Sequence, residues 1–134
     1  MLSNSSLETL FTKARSQNGW LNKDITDEQI HQLYDLLKFG PTSANCCPAR
    51  FTFIRTKEAK ERLKPYLDSG NIEKSMSAPA VAIISYDIDF YQKLPYLFPH
   101  TSAKSWYEGR EQKIKSTAEL NATLQGAYFI LAAR

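Results

Sequence analysis

Apolar residues recur at helical spacing in three stretches of the chain and form alternating or unbroken runs in two others. The first helical pattern opens at Ser5-x-x-Glu8, a capping arrangement, and continues through Leu7, Leu10, Phe11 and Ala14. It predicts a helix ending near Arg15 and Ser16, ahead of the turn-forming Gln17-Asn18-Gly19. A second helix is predicted from Thr26-x-x-Gln29 through Ile30, Leu33, Tyr34 and Leu37. It should stop at Gly40-Pro41, with the glycine placed for a C-terminal cap. Phe51 and Phe53 alternate with Thr52 and Ile54 and predict a strand; a charged helix follows and breaks at Pro65.

Asp68-Ser69-Gly70-Asn71 reads as a loop. The run from Ala78 to Tyr86 predicts a strand buried on both faces. Positions 87–109 read as a mixture of short helix and loop. The last helix, from about Thr117, places Leu120, Leu124, Ala127 and Leu131 on one stripe. Near its end it becomes apolar on most sides, so it wants neighbours all round. No stop signal precedes Arg134, which reads as a chain cut short or one dependent on a partner.

Composition narrows the class. The 134 residues are 43% hydrophobic and 23% charged, an ordinary globular balance for one domain over 1–134. Net charge is +3, and the basic residues (Lys57, Lys60, Arg62, Lys64, Lys113, Lys115) are mixed with glutamates, a pattern of solvated helix faces that argues against nucleic acid as a partner. No segment is long and apolar enough for a membrane span, and the N-terminus lacks the pattern of a secretory signal. With the only two cysteines, Cys46 and Cys47, this points to a reducing cytoplasm.

Those cysteines sit in Lys38-Phe-Gly-Pro-Thr-Ser-Ala-Asn-Cys-Cys-Pro-Ala-Arg-Phe51, the most distinctive stretch of the chain. Adjacent cysteines bridge only with backbone strain. Two Cys and two distant His lack zinc spacing, so no metal is expected. No histidine is paired by sequence with either thiol; the simplest reading makes them packing residues, with a thiol enzyme as the competing one. Neither a dinucleotide-binding GxGxxG nor a phosphate-cradling GxxxxGK[ST] is present. What remains is Arg15 beside Ser16, suited to a phosphate, and the small polar run Pro41-Thr42-Ser43-Ala44-Asn45 after a helix stop.

Taken together, Ala14–Trp20, Gly40–Phe51, Ser69–Asn71, Ala78–Pro95, Leu97–His100 and Leu124–Arg134 resemble the nitroreductase family of FMN-dependent oxidoreductases. Within that family they are most similar to the malonic semialdehyde reductase (3-hydroxypropionate dehydrogenase) branch. The resemblance implies an α+β fold, a central mostly antiparallel sheet flanked by helices, and a homodimer with FMN at the interface. It implies that Arg15 and Ser16 meet the FMN phosphate, that Pro41, Thr42, Ser43 and Asn45 reach the flavin from the partner subunit, and that Asn71 bonds the ring edge. NADH or NADPH would supply hydride, and a small carbonyl or nitro compound would receive it; malonic semialdehyde would become 3-hydroxypropionate. No catalytic acid or base is singled out. Arg50, His100 and Lys104 are candidates to meet a substrate carboxylate. The family's Arg-Arg-Ser-x-Arg phosphate motif departs here at Ala14 and Asn18. Members of the family also extend further at the C-terminus, so the alternative expectation is a catalytically silent truncated fragment or a structural dimer that no longer holds FMN.

Overall fold

In the computed structural model, which describes Met1–Arg134, helices and two strands follow one another as α1 (Asn4–Leu7), α2 (Asp27–Leu37), β1 (Ala49–Ile54), α3 (Lys57–Leu63), α4 (Ser69–Ser77), β2 (Val81–Tyr86), α5 (Leu94–Leu97) and α6 (Glu111–Ala132). The two strands form one two-stranded sheet. Asp87 N donates to Pro48 O at 2.9 Å and Ser85 Oγ to Arg50 O at 3.5 Å. Residue numbers rise on one strand as they fall on the other, so the pairing is antiparallel. Contacts divide the chain into two compact units: Met1–Ile30 with Phe53–Ala82 and Arg134, and His31–Thr52 with Ile83–Ala133. No helix is long and apolar enough to cross a membrane.

In the first unit, the helix start lies earlier than the sequence indicates. Ser3, not Ser5, caps α1, its Oγ accepting from Ser6 N at 3.1 Å. Glu8 pairs with Lys13 at 2.7 Å instead of closing a capping box. The helix widens over Glu8–Thr12 and ends there, leaving Arg15 and Ser16 beyond it. At α2 the expected box forms: Gln29 N donates to Thr26 Oγ1 at 3.2 Å, and Thr26 N to Gln29 Oε1 at 3.0 Å. Arg55 ties this start down, donating to Ile25 O at 2.9 Å and pairing with Asp27. Thr56 caps α3, and Pro65 ends it in a single tight turn, Lys64–Tyr66.

Two expectations fail in this unit. Asp68–Asn71 is not a loop: Ser69–Ser77 is helical and Asn71 stands in its first turn. A helical glycine costs about 1 kcal/mol against alanine, which the packing of Ile72, Ser75 and Met76, all partly buried, outweighs. Lys60 is not a solvated charge either. Its ammonium donates to Ala78 O and, at 3.5 Å, to Met76 O, closing the C-terminal end of α4.

The second unit holds the densest core. Phe90 and Leu94 are fully buried, with Cys46, Ala103, Tyr107 and Ala118 around them. The Phe90 ring meets Tyr107 edge-on at 5.0 Å. The segment 87–109 supplies most of these side chains from tight turns and the short α5, as expected of a mixed stretch. Phe51 on β1 stacks on Phe129 of α6 at 5.4 Å. In β2, Ile83, Ile84 and Tyr86 are each over a third exposed, so the strand is not covered on both faces within this chain.

α6 also differs from its sequence reading. It starts at Glu111, and its buried side is Ala118, Asn121, Ala122, Gln125 and Gly126. Of the apolar stripe, Leu120 is 71% exposed and Leu124 40%, while Ala127 is exposed and Leu131 partly buried. Small residues on the inner side allow close approach, and a Cβ on Gly126 would lie 3.2 Å from Ile84.

Candidate functional site

The segment that leaves α2 is bent by three non-glycine residues in the left-handed region: Ala44 (φ 50°), Asn45 (φ 52°) and Cys47 (φ 39°). Such a conformation costs roughly 1–2 kcal/mol per residue, less for asparagine. Three side chains of α6 offset that cost. Asn121 Oδ1 accepts from Ser43 N at 2.8 Å, its amide orientation set by Nδ2 donating to Thr117 O at 2.8 Å. Gln125 Oε1 accepts from Ala49 N at 2.9 Å, and Tyr128 Oη donates to Pro41 O at 2.9 Å. Positions 121, 125 and 128 share one helix face. These side chains fix the loop at its start, middle and end, and none was singled out from the sequence. The available signal was polar residues at helical spacing interleaved with Ala118, Ala122 and Gly126.

Within the loop, polar side chains hold the loop itself. Thr42 Oγ1 accepts from Cys47 N at 3.2 Å. Asn45 Nδ2 donates to Leu97 O at 2.9 Å, while its Oδ1 accepts from Cys47 Sγ at 3.3 Å. Burial raises the pKa of the nearby Tyr107 phenol. Gly40 is not a left-handed cap as expected. Its φ is not positive, and its role is steric: a Cβ there would fall within the Tyr128 ring.

Cys46 is a packing residue, 1% exposed. Burial pushes its thiol up to about 11 from an ordinary 9.0. A raised folded-state value means that the stability it brings is complete below pH 9.0 and is lost as pH rises towards 11. Iodoacetamide at pH 8 is therefore expected to add at most one label to the native chain, on half-buried Cys47, and two after denaturation. Two labels on the folded protein at a rate matching the denatured one would contradict the buried placement.

Arg50, a candidate for a substrate carboxylate, is committed elsewhere. Nη1 donates to Ala49 O at 2.8 Å and Cys47 O at 3.2 Å, and Nη2 pairs with Asp87. Asp87 also accepts from Lys93 Nζ at 2.8 Å and from Asp89 N at 2.8 Å. Burial would raise its pKa, but the Lys93 and Asp89 bonds and the Arg50 charge together hold it below the usual range. His100 is exposed and meets Phe98 edge-on at 5.3 Å. Lys104 lines a cavity of about 520 Å³ between Pro95 and Glu108.

The remaining sequence candidates lie in the first unit. Arg15 and Ser16 are exposed, with Arg15 Nη1 donating to Thr12 O at 3.0 Å and Ala14 O at 2.6 Å. Asn71 is exposed on α4, its backbone N donating to Asp68 O at 2.8 Å. Pro41, Thr42, Ser43 and Asn45 are thus gathered in one loop of the second unit, and Arg15, Ser16 and Asn71 belong to the other.

No protein-family model matches the sequence. A Cupriavidus pinatubonensis protein named as an NADH dehydrogenase/NAD(P)H nitroreductase is 54% identical over 137 residues, covering 100% of this chain and 70% of the relative. Among solved structures, a nitroreductase from Exiguobacterium sibiricum in complex with FMN matches with a TM-score of 0.85 at 20% identity, over 100% of this chain and 71% of that one. A Bacillus subtilis nitroreductase gives 0.83 at 24% identity, over 96% and 70%. The backbone likeness establishes a nitroreductase-like α+β fold with a small antiparallel sheet. More than half the residues are shared with the Cupriavidus protein along the whole of this sequence, and on that ground the chain belongs to the nitroreductase family.

Proposed function

We propose that this chain is an FMN-dependent NAD(P)H oxidoreductase acting on small carbonyl or nitro compounds, with malonic semialdehyde as the substrate within that class. The observation that carries the reading is the preshaped loop Pro41–Cys47, held in a left-handed bend by three α6 side chains without using the exposed polar groups of the first unit. The relative's name and the FMN complex of the same fold support it.

The side chains present fit such a cofactor in chemistry. Arg15 offers a guanidinium and Ser16 a hydroxyl, both exposed, which suits a phosphate. Asn71 offers an exposed carboxamide with both donor and acceptor capacity, as the edge of a flavin ring requires. Thr42 and Asn45 spend their side chains on the loop, so their part is to set its shape. The chemistry supplied by bound FMN is hydride relay from NAD(P)H to the substrate, and the protein's share is orientation. Arg15 and Ser16 would hold the phosphate and Asn71 the ring edge, and Pro41, Thr42, Ser43 and Asn45 would meet the flavin held by the partner subunit. Consistent with that division, no acid–base pair is set up among these residues.

The exposed stripe Leu120, Leu124, Ala127 and Ile130 supports a homodimer, since an apolar face of this length calls for a partner. Cys46 and Cys47, both free thiols, support a reading of the protein as one of a reducing compartment such as the cytoplasm. Intact native mass and a visible spectrum of the purified full chain test the reading. It predicts a yellow dimer that bleaches when NADPH is added without oxygen. A colourless protein that takes up no added FMN would overturn it in favour of a silent structural chain.

A further inference from the structure

The stretch Gln17-Asn18-Gly19-Trp20 follows Arg15 and Ser16 directly. From Lys13 to Thr26 the backbone takes no regular structure, so Arg15 and Ser16 are held only as firmly as this stretch is tied to other elements. Arg15 supplies no such tie, because its bonds run to Thr12 O and Ala14 O close by. The far end of the stretch is fixed by Arg55, which donates to Ile25 O at 2.9 Å. Between those two points one hydrogen bond reaches a distant element: Trp20 Nε1 donates to Lys74 O at 2.7 Å, across 54 positions.

The indole is 47% exposed, so burial accounts for only part of its placement, and the N–H is what gives it direction. Its acceptor is itself fixed. Lys74 lies within α4, and its carbonyl also accepts the helical bond from Ala78 N at 3.1 Å. Lys60 closes the end of the same helix through Met76 O and Ala78 O. Lys74 stands three residues after Asn71, and positions so spaced share one helix face. Trp20 therefore ties the stretch that carries Arg15 and Ser16 to the helix that carries Asn71, and all of these residues belong to the first unit.

We infer that Trp20 is a positioning residue for the flavin: its indole N–H sets the separation between the phosphate pair, Arg15 and Ser16, and the ring-edge amide of Asn71. This rests on the reading of the chain as an FMN-dependent reductase and deepens it by adding a residue that need not touch the cofactor. FMN carries its phosphate and its ring at opposite ends of a flexible ribityl chain. A ligand held at both ends gains affinity when the two anchors are kept at a matching distance, whereas a ligand that uses one anchor gains nothing from it.

The test compares FMN with riboflavin, which has the same ring and ribityl chain and no phosphate, by flavin-fluorescence titration of the full chain. Wild type is expected to hold FMN the more tightly. Trp20→Phe keeps the aromatic body and removes the N–H. It is expected to weaken FMN about tenfold, the scale of one hydrogen bond, and to leave riboflavin nearly unchanged, which also shows that the variant is folded. In an Arg15→Gln background, where the phosphate has lost its guanidinium, Trp20→Phe should cost FMN little more, because groups that act as a unit are not additive. Equal losses for the two flavins, or the full tenfold loss again beside Arg15→Gln, would give Trp20 a merely structural role and overturn the inference. Wild type that holds FMN no more tightly than riboflavin, or FMN binding untouched by Trp20→Phe, overturns it while the flavin reading stands. A chain that takes up neither flavin overturns both.

Discussion

Gly40→Ala is expected to destabilise the fold by more than an ordinary surface change and to weaken flavin binding further still. The added methyl would fall within the Tyr128 ring. Overpacking of this kind costs about 1–3 kcal/mol. To accommodate it the ring must swing away, and its hydroxyl then loses the 2.9 Å bond to Pro41 O, worth about 1 kcal/mol more. The loop would lose the first of its three anchors from α6. Urea denaturation and flavin titration of the apoprotein measure the two losses. The steric origin makes a sharper demand: in a Tyr128→Ala background the same Gly40→Ala change should cost almost nothing, because neighbouring substitutions that share one contact are not additive. Equal cost in both backgrounds would show that the ring is not the reason.

Phe90→Ala is expected to be the most damaging core truncation. Phe90 is 0% exposed and stands at the centre of the cluster that joins Cys46, Leu94, Ala103, Tyr107 and Ala118. Emptying such a site costs about 3–5 kcal/mol, a large part of the 5–15 kcal/mol that typically separates folded from unfolded chains. The damage should also reach the loop. Tyr107, deprived of its edge-on partner at 5.0 Å, belongs with Cys46 to the core cluster against which Ala44 of the loop packs. Phe90→Leu, which refills most of the volume, should recover most of the stability. A Phe90→Ala loss below about 1 kcal/mol, on the lowest scale for core truncations, would mean that the ring is not the keystone of the unit.

The parts of the fold legible in the sequence are those whose causes are local. Thr26 and Gln29 are three residues apart and cap each other. Both strands show in their own composition, and Pro65 stops α3 where it stands. Asn71 was misplaced into a loop because Ser69 and Gly70 are locally loop-like, while the packing that makes the segment helical comes from Ile72, Ser75 and Met76. α6 misled in the opposite way. Its leucines mark a stripe so clear that the side with Asn121 and Gln125 looks like the solvent face. Those amides are buried because the groups that satisfy them are backbone N–H groups of Ser43 and Ala49, and no periodicity within α6 reports partners so far away. Of the candidate site, the loop residues came to notice through family resemblance. The helix face that shapes the loop did not.

The α6 anchors have a consequence for the order of events in folding. Ser43 is 78 residues from Asn121, Ala49 is 76 from Gln125, and Pro41 is 87 from Tyr128. Contacts of such sequence separation form late, because the entropy of closing the intervening chain is lost before they return anything. During synthesis the loop emerges long before its anchors, and until α6 has been made only bonds within the loop, such as Cys47 N to Thr42 Oγ1, oppose the left-handed strain there. The bend of the candidate site is thus fully held only by nearly the whole sequence, once residue 128 is in place.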